Sequence, residues 1–240
     1  MSDYLNYAKE VIQIEIDAIS DLVNNLDTNF SDACETLIKT TGRIIVIGMG
    51  KSGHIGHKIA ATLASTGSPA FFVHPGEASH GDFGMITAKD SILALSYSGN
   101  TQEIVSLLPL IKRLEIPLIS ITGNPNSELA KCSDIHLNIH IKKEACPLNL
   151  APTASTTAML VMGDALAISL LSERGFTAEQ FAFSHPGGSL GKRLLLSVDQ
   201  LMSKDTLIPL NNLDDSLEDA IINMNQKALG MTVIIADKKE

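Results

Sequence analysis

The sequence predicts an α/β protein: a three-layer sandwich around a mostly parallel, five-stranded, Rossmann-like sheet. Three observations carry that prediction. Short apolar runs such as IIVIG, SILALS and PLISIT alternate with stretches whose apolar residues recur at helical spacing, which is the pattern of β–α–β units. Within the runs the apolar residues are consecutive and not alternate, as they must be in strands covered on both faces. Glycine-rich turns follow the first and third runs, where a strand hands over to a helix.

Taken in order, residues 3–26 place Leu5, Ala8, Ile12, Ile16, Ile19, Val23 and Leu26 along one helical stripe. Ser31 caps a second helix with Ala33, Leu37 and Ile38 facing inward. This helical pair either covers a sheet face or pairs with another subunit. Strand 43–47 then leads to helix 52–66, the turn Gly67-Ser68-Pro69 and strand 70–73. A loop over 74–85 precedes strand 91–96, helix 101–114 and strand 117–122. The turn Gly123-Asn124-Pro125, a short helix near 127–131 and strand 135–141 complete the sheet. That last strand alternates Ile135, Leu137, Ile139 and Ile141 with His136, Asn138, His140 and Lys142, so it reads as an edge strand with solvated histidines. Helix 155–174 is apolar nearly all round and is expected to be buried. Beyond Ser184-His185-Pro186-Gly187-Gly188, residues 198–240 read as a short start at Pro209, a helix near 214–227, a strand over 231–236 and a charged end. One helix and one or two strands cannot bury a core of their own.

A chain of 240 residues, 45% hydrophobic and 19% charged, holds one sizeable domain plus something small. A net charge of -9 and the absence of tryptophan argue against a nucleic-acid partner. Cys34, Cys132 and Cys146 show no metal spacing, and no signal peptide is recognisable, so reduced thiols in the cytoplasm are expected. The longest apolar stretch, 158–171, is interrupted by Gly163 and Asp164, so no membrane role is expected.

The first glycine turn, Gly48-Met49-Gly50-Lys51-Ser52-Gly53, fits G-x-G-x-x-G, but the second strand ends in His74-Pro75 without the acidic residue a dinucleotide ribose requires. Ile45 stands where a Walker A loop needs glycine. A packing turn and a sugar-phosphate cradle both remain open, the latter supplied by backbone N–H groups at a helix start and by the Lys51 charge. The cradle needs a second loop. Ser96-Tyr97-Ser98-Gly99-Asn100-Thr101 provides one, with Ser96, Ser98, Gly99 and Thr101 as anion-binding candidates at a helix N-terminus. His54 and His57 sit one turn apart without an evident third metal ligand.

This second loop resembles the serine-rich loop of sugar isomerase (SIS) domains. Together with Phe72-Val73-His74-Pro75, His80-Gly81-Asp82, Lys143-Glu144-Ala145-Cys146-Pro147-Leu148, Ala151-Pro152-Thr153 and Ser184-His185-Pro186-Gly187-Gly188, the chain is similar to the arabinose-5-phosphate isomerases. The resemblance implies an SIS domain over 1–197 and, over 198–240, part of a CBS domain whose tandem pair is incomplete here. It implies a homotetramer that interconverts D-ribulose 5-phosphate and D-arabinose 5-phosphate for KDO synthesis in lipopolysaccharide or capsule formation. Another phosphosugar isomerase and a non-catalytic sugar-phosphate sensor are the rival expectations; the chain shows no basic helix-turn-helix that a DNA-binding sensor would need.

The same resemblance places Lys51, His80, Glu103, Glu144 and His185 in the active site. It adds Gly50, Ser52, Gly67, Ser68, His74 and His80 to the substrate-binding residues already drawn from the second loop. An aldose–ketose shift needs a base, an acid and oxyanion stabilisation but no redox cofactor. His185 and His80 suit the acid/base pair because imidazole titrates near neutrality. Glu103, in a first helical turn, is an orienting carboxylate first and a base second. Lys51 neutralises the enediolate or the phosphate; Glu144 holds a sugar hydroxyl or orients a histidine. Glu144 and His185 lie far from the two loops in sequence and are candidates to arrive from a neighbouring subunit. His74 is the expected place for an inhibitory, non-catalytic zinc. Cys146 has no role that isomerisation requires.

Overall fold

The computed structural model describes residues 3–185 and 197–236. Contacts divide the chain into two units, Met1–His185 and Pro186–Glu240. In the first, β1 (Ile44–Gly48), β2 (Ala70–Val73), β3 (Ser91–Leu95), β4 (Leu118–Thr122) and β5 (Ile135–Asn138) form one parallel sheet in the order β2-β1-β3-β4-β5. Strand alternation sends Ile44 and Val46 of β1 to one face and Ile45 and Ile47 to the other, and both sets are buried. The first face is covered by α1 (Tyr4–Asn25), α2 (Thr28–Lys39), α3 (Gly50–Ser65) and α8 (Ala154–Glu173). Covering the second are α4 (Pro75–Ala78), α5 (Gln102–Val105), α6 (Leu108–Arg113) and α7 (Glu128–Cys132). The result is the three-layer sandwich, closed at the end of the unit by α9 (Ala178–Ser184).

Several elements depart from their predicted extents. The single helix expected over 101–114 is two helices, because Pro109 has no N–H to give the Val105 carbonyl. β5 stops at Asn138, since its neighbour β4 ends at Thr122 and leaves nothing further to pair with. His136 is not solvated: its Nε2 lies 2.9 Å from Thr122 Oγ1, and its carbonyl accepts from the Asn29 amide at 3.3 Å. Burial lowers its pKa, more than Thr122 and the Asp27 charge raise it. The stripe read along α1 is not buried within one chain: Leu5, Ile12, Ile16, Val23 and Leu26 stay exposed, and the residues that pack inward are Ala18 and Leu22, on a different line of the helix. α8 keeps its expected length, shifted by one residue, but against the reading of its interrupted apolar stretch it is long and apolar enough to cross a membrane by length and composition. Half of it is instead buried in the chain, close enough to α3 that a Cβ on Gly163 would meet Ile59 at 2.3 Å.

At the amino-terminal edge of the sheet, the buried Asp90 ties two strand starts together. Its Oδ1 accepts from Arg43 N at 2.7 Å, and its Oδ2 accepts from the Thr87 amide at 2.7 Å and hydroxyl at 2.9 Å. Asp90→Ala leaves these donors short of partners and is expected to cost about 3 kcal/mol in urea unfolding.

Within the second unit, β6 (Leu210–Asn212) pairs in parallel with β7 (Val233–Ile235) across the helix Leu217–Gln226, a single β–α–β crossover. Asn211 is its buried polar centre, bonded to Asp215, Asn223 and Thr232. All three residues of β7 remain exposed, in keeping with a unit too small to close a core. The charged end, 237–240, lies outside the described residues.

Candidate active site

In a parallel sheet ordered 2-1-3-4-5, chain connections diverge between β1 and β3, and ligands bind outside the carboxyl ends of those strands. Gly48 and Leu95 are register partners there, so the two predicted loops lie side by side. The first loop turns at Gly50, whose φ of +57° only glycine adopts without cost, and α3 begins at that residue and not at Ser52. Gly48 and Gly53 serve packing. A Cβ on Gly53 would sit 2.9 Å from the Gly48 carbonyl oxygen, so these two glycines press strand against helix and do not admit a ligand. Gly50, Lys51 and Ser52 then offer the unpaired N–H groups of the first turn of α3. Lys51 is exposed and makes no ion pair among the described residues.

The second loop is a self-bonded frame. Ser96 is buried, its Oγ accepting from Gly99 N at 3.0 Å and pairing with Thr101 Oγ1 at 2.8 Å. Gly99 turns at φ +67° against Ser127. Of the three hydroxyls expected to form the cradle, Ser98 is the exposed one; Ser96 and Thr101 hold the loop that presents it.

Glu144 joins this edge from its own chain, so its arrival does not call for a neighbouring subunit, and that expectation is corrected. A cleft of about 270 Å³ is lined by Ser52, Tyr97, Lys143, Glu144, Ser155 and Thr156. The carboxylate docks on the start of α8: Oε2 accepts from Thr153 N at 2.8 Å, Thr153 Oγ1 at 3.0 Å and Ser155 N at 3.2 Å. Burial by itself would raise the Glu144 pKa, but the donors of Ser155 and Thr153 together outweigh it and hold the carboxyl below its ordinary value. The group is therefore an ionised acceptor at a helix N-terminus and a weak base. Its backbone N–H donates to Asn149 Oδ1 at 2.7 Å, which fastens the loop. Tyr97 Oη accepts from Ile141 N at 3.3 Å, leaving its own hydrogen to donate. Burial raises the Tyr97 pKa, so the phenol stays protonated.

The other candidates are placed less closely. α4 packs on α5, so the turn carrying His74 and His80 neighbours the helix carrying Glu103; His80 and Glu103 are both exposed. His74 Nδ1 accepts from Gly76 N at 3.2 Å and caps α4, a bond that a metal on that nitrogen would displace. Among the described residues no three His, Cys, Asp or Glu side chains are grouped to hold a metal. His185 ends α9; its Nδ1 lies 3.0 Å from the Phe181 carbonyl oxygen and its ring stacks on Phe181 at 4.2 Å. A carbonyl only accepts, so Nδ1 carries the proton and Nε2 is free to take one. Pro186, Gly187 and Gly188 of that motif lie outside the described residues.

Gly67 and Ser68 are not brought to this edge. They precede β2 and so lie at the amino-terminal rim of the sheet. Ser68 is fully buried and accepts from Arg174 Nε at 3.2 Å, and Phe176 fills the open face of Gly67. Within one chain they close the α3–β2 turn. Conversely, Tyr97, Thr153 and Asn149 belong to the site without having been given a role. Tyr97 and Thr153 stood inside quoted motifs, but no spacing rule announces a side chain that acts through another residue.

An SIS domain family profile matches residues 37–169. The arabinose 5-phosphate isomerase KdsD of Pseudomonas aeruginosa is 59% identical over 233 residues, covering 97% of this chain and 72% of that protein. The chain belongs to the SIS-domain arabinose 5-phosphate isomerase family. A second member, KdsD of Escherichia coli K12, is 54% identical over 98% of this chain and 72% of its own length. Among solved structures, an Escherichia coli CFT073 protein in complex with arabinose 5-phosphate superposes with a TM-score of 0.75 at 39% identity, covering 78% of this chain and 100% of that one. The Vibrio vulnificus NanR protein complexed with ManNAc-6P shares the fold, with a TM-score of 0.64 at 22% identity over 82% of this chain and 70% of that one.

Proposed function

We propose that this chain is a D-arabinose-5-phosphate isomerase, interconverting D-ribulose 5-phosphate and D-arabinose 5-phosphate. The observation that carries the reading is the convergence of the α3 and α8 N-termini on one cleft. Ser52 and an ionised Glu144 stand together there beside the Ser98 loop, in a member of this family. Starting from the ketose, a base removes a proton from C1, and electrons move into an enediolate across C1 and C2. A proton then returns at C2 while O1 gives up its hydroxyl proton and O2 takes one, so that O1 becomes the aldehyde oxygen and O2 a hydroxyl. Proton and electron counts close within the sugar, so no redox cofactor is required.

His185, unprotonated at Nε2 in its neutral form, serves as base, with His80 as its acid/base partner. Lys51 and the α3 N-terminus stabilise the enediolate or the phosphate, and Ser98 presents a hydroxyl to the ester end. Glu103 orients. Glu144 accepts from a sugar hydroxyl. His74 would be the ligand for an inhibitory zinc, at the expense of its cap on Gly76. The same reading makes the enzyme a cytoplasmic homotetramer supplying KDO synthesis, with no nucleic-acid or membrane partner. Three free cysteines and the apolar stripe left exposed on α1 support the location and the assembly. It also treats residues 198–240 as part of a CBS domain, on their β–α–β order.

The test is turnover of ribulose 5-phosphate in D2O, followed by NMR. Arabinose 5-phosphate with deuterium at C2 is the expected product. Binding without exchange would instead make the chain a sensor, and turnover confined to hexose phosphates would make it a different isomerase.

A further inference from the structure

Glu144 is held in place by Ser155 and by Thr153, nine positions on. Thr153 touches its Oε2 twice, through the backbone N–H at 2.8 Å and the hydroxyl at 3.0 Å. The same hydroxyl oxygen accepts from Ala145 N at 2.9 Å. An amide N–H can only donate, so it occupies a lone pair of Oγ1 and leaves the single hydroxyl hydrogen for the carboxylate. The hydroxyl thus grips the 144–145 backbone and the Glu144 side chain at once. Although Thr153 is the N-cap residue of α8, its side chain does not cap that helix; the carboxylate arriving from Glu144 does, by accepting from Thr153 N and Ser155 N. With Oε2 committed to these donors, the other carboxylate oxygen is left for a ligand in the cleft that Ser52, Tyr97 and Thr156 share with Glu144.

We propose that Thr153 is a positioning residue of the isomerase: its hydroxyl, fixed by Ala145 N–H, sets the direction in which Glu144 presents its free oxygen to the sugar. The proposal rests on the isomerase reading and deepens it. A carboxylate displaced by a fraction of an ångström still binds substrate but holds it poorly for reaction, so the loss falls on kcat.

Thr153→Val keeps the shape and removes the hydroxyl; Thr153→Ser restores the hydroxyl without the methyl. For Thr153→Val the expected result with ribulose 5-phosphate is a kcat lowered about tenfold, with KM within about twofold of wild type. The acid limb of its kcat/KM profile is expected to move up in pH, because Glu144 loses a donor. Thr153→Ser is expected to retain kcat within about twofold. A Thr153→Val enzyme with wild-type kcat, or a Thr153→Ser enzyme as slow as the valine variant, would overturn the proposal. Thermal unfolding against pH reads the hydrogen bond without turnover. The acid-side loss of stability should be smaller in Thr153→Val than in wild type, and identical curves would also overturn the proposal. Wild-type protein that shows this bond in its unfolding curves but turns over no pentose phosphate would instead overturn the isomerase reading.

Discussion

Replacing His185 by alanine is expected to lower turnover of ribulose 5-phosphate by about 10² to 10⁴-fold, the range that a positioned proton-transfer group supplies. The side chain sits at the C-terminal end of α9, a helix held at its other end by the capping box of Thr177 and Gln180. Its own bond to the Phe181 carbonyl is local, four residues back, and among the described residues the stack on Phe181 is the main interaction that alanine removes. The fold should therefore survive, with an unfolding midpoint near that of wild type. The bond to Phe181 assigns the ring a direction: Nδ1 is the donor and Nε2 the group that takes the proton. A His185→Ala enzyme retaining more than about a tenth of wild-type turnover would remove this histidine from the chemistry. Loss of substrate binding with intact proton exchange would make it a binding residue.

Glu144→Gln carries the second large effect, a fall in kcat of about 10² to 10³-fold. A glutamine can keep its carbonyl oxygen on the donors of Thr153 and Ser155, so the start of α8 stays capped. Its NH2 then faces the cleft, and a group that accepted from a sugar hydroxyl now donates. The charge that would order a neighbouring imidazolium is gone as well. Near neutral pH the folded state should be only modestly weakened. The acid side is more telling. The Glu144 pKa is lowered on folding from a reference of 4.5, so its contribution to stability is complete above that pH and is lost as pH falls through the lowered folded value. Wild type and Glu144→Gln should therefore converge in stability below that reference pH. Unfolding curves that stay equally far apart in acid would show that the carboxylate is not held as described.

Much of the fold is legible in the order of the residues. The buried strands β1, β3 and β4 announce themselves as consecutive apolar runs, and the break at Pro109 could have been drawn from the missing N–H alone. The site is legible in part. Gly50 and the Ser98 loop fall where local glycine and hydroxyl patterns put them, at strand ends. Glu144 could be named by resemblance, but its partner could not. The eight residues between Glu144 and Thr153 belong to an irregular loop, and no periodicity links them. The stripe on α1 shows the opposite limit: its spacing correctly marked a helix and said nothing about whether a second layer would cover it.

Local sequence alone determined the kinds of element in this protein, their order and the two loops at the strand ends, because each follows from backbone preference and from the burial pattern of nearby residues. Tertiary packing decided that Ser96 is spent inside its own loop and that Gly67 and Ser68 belong to the opposite rim. It also decided that Glu144 and Ser52 line one cleft within one chain. Those outcomes depend on where hydrogen bonds between distant residues end, and only the packed sheet and helices bring their partners within reach.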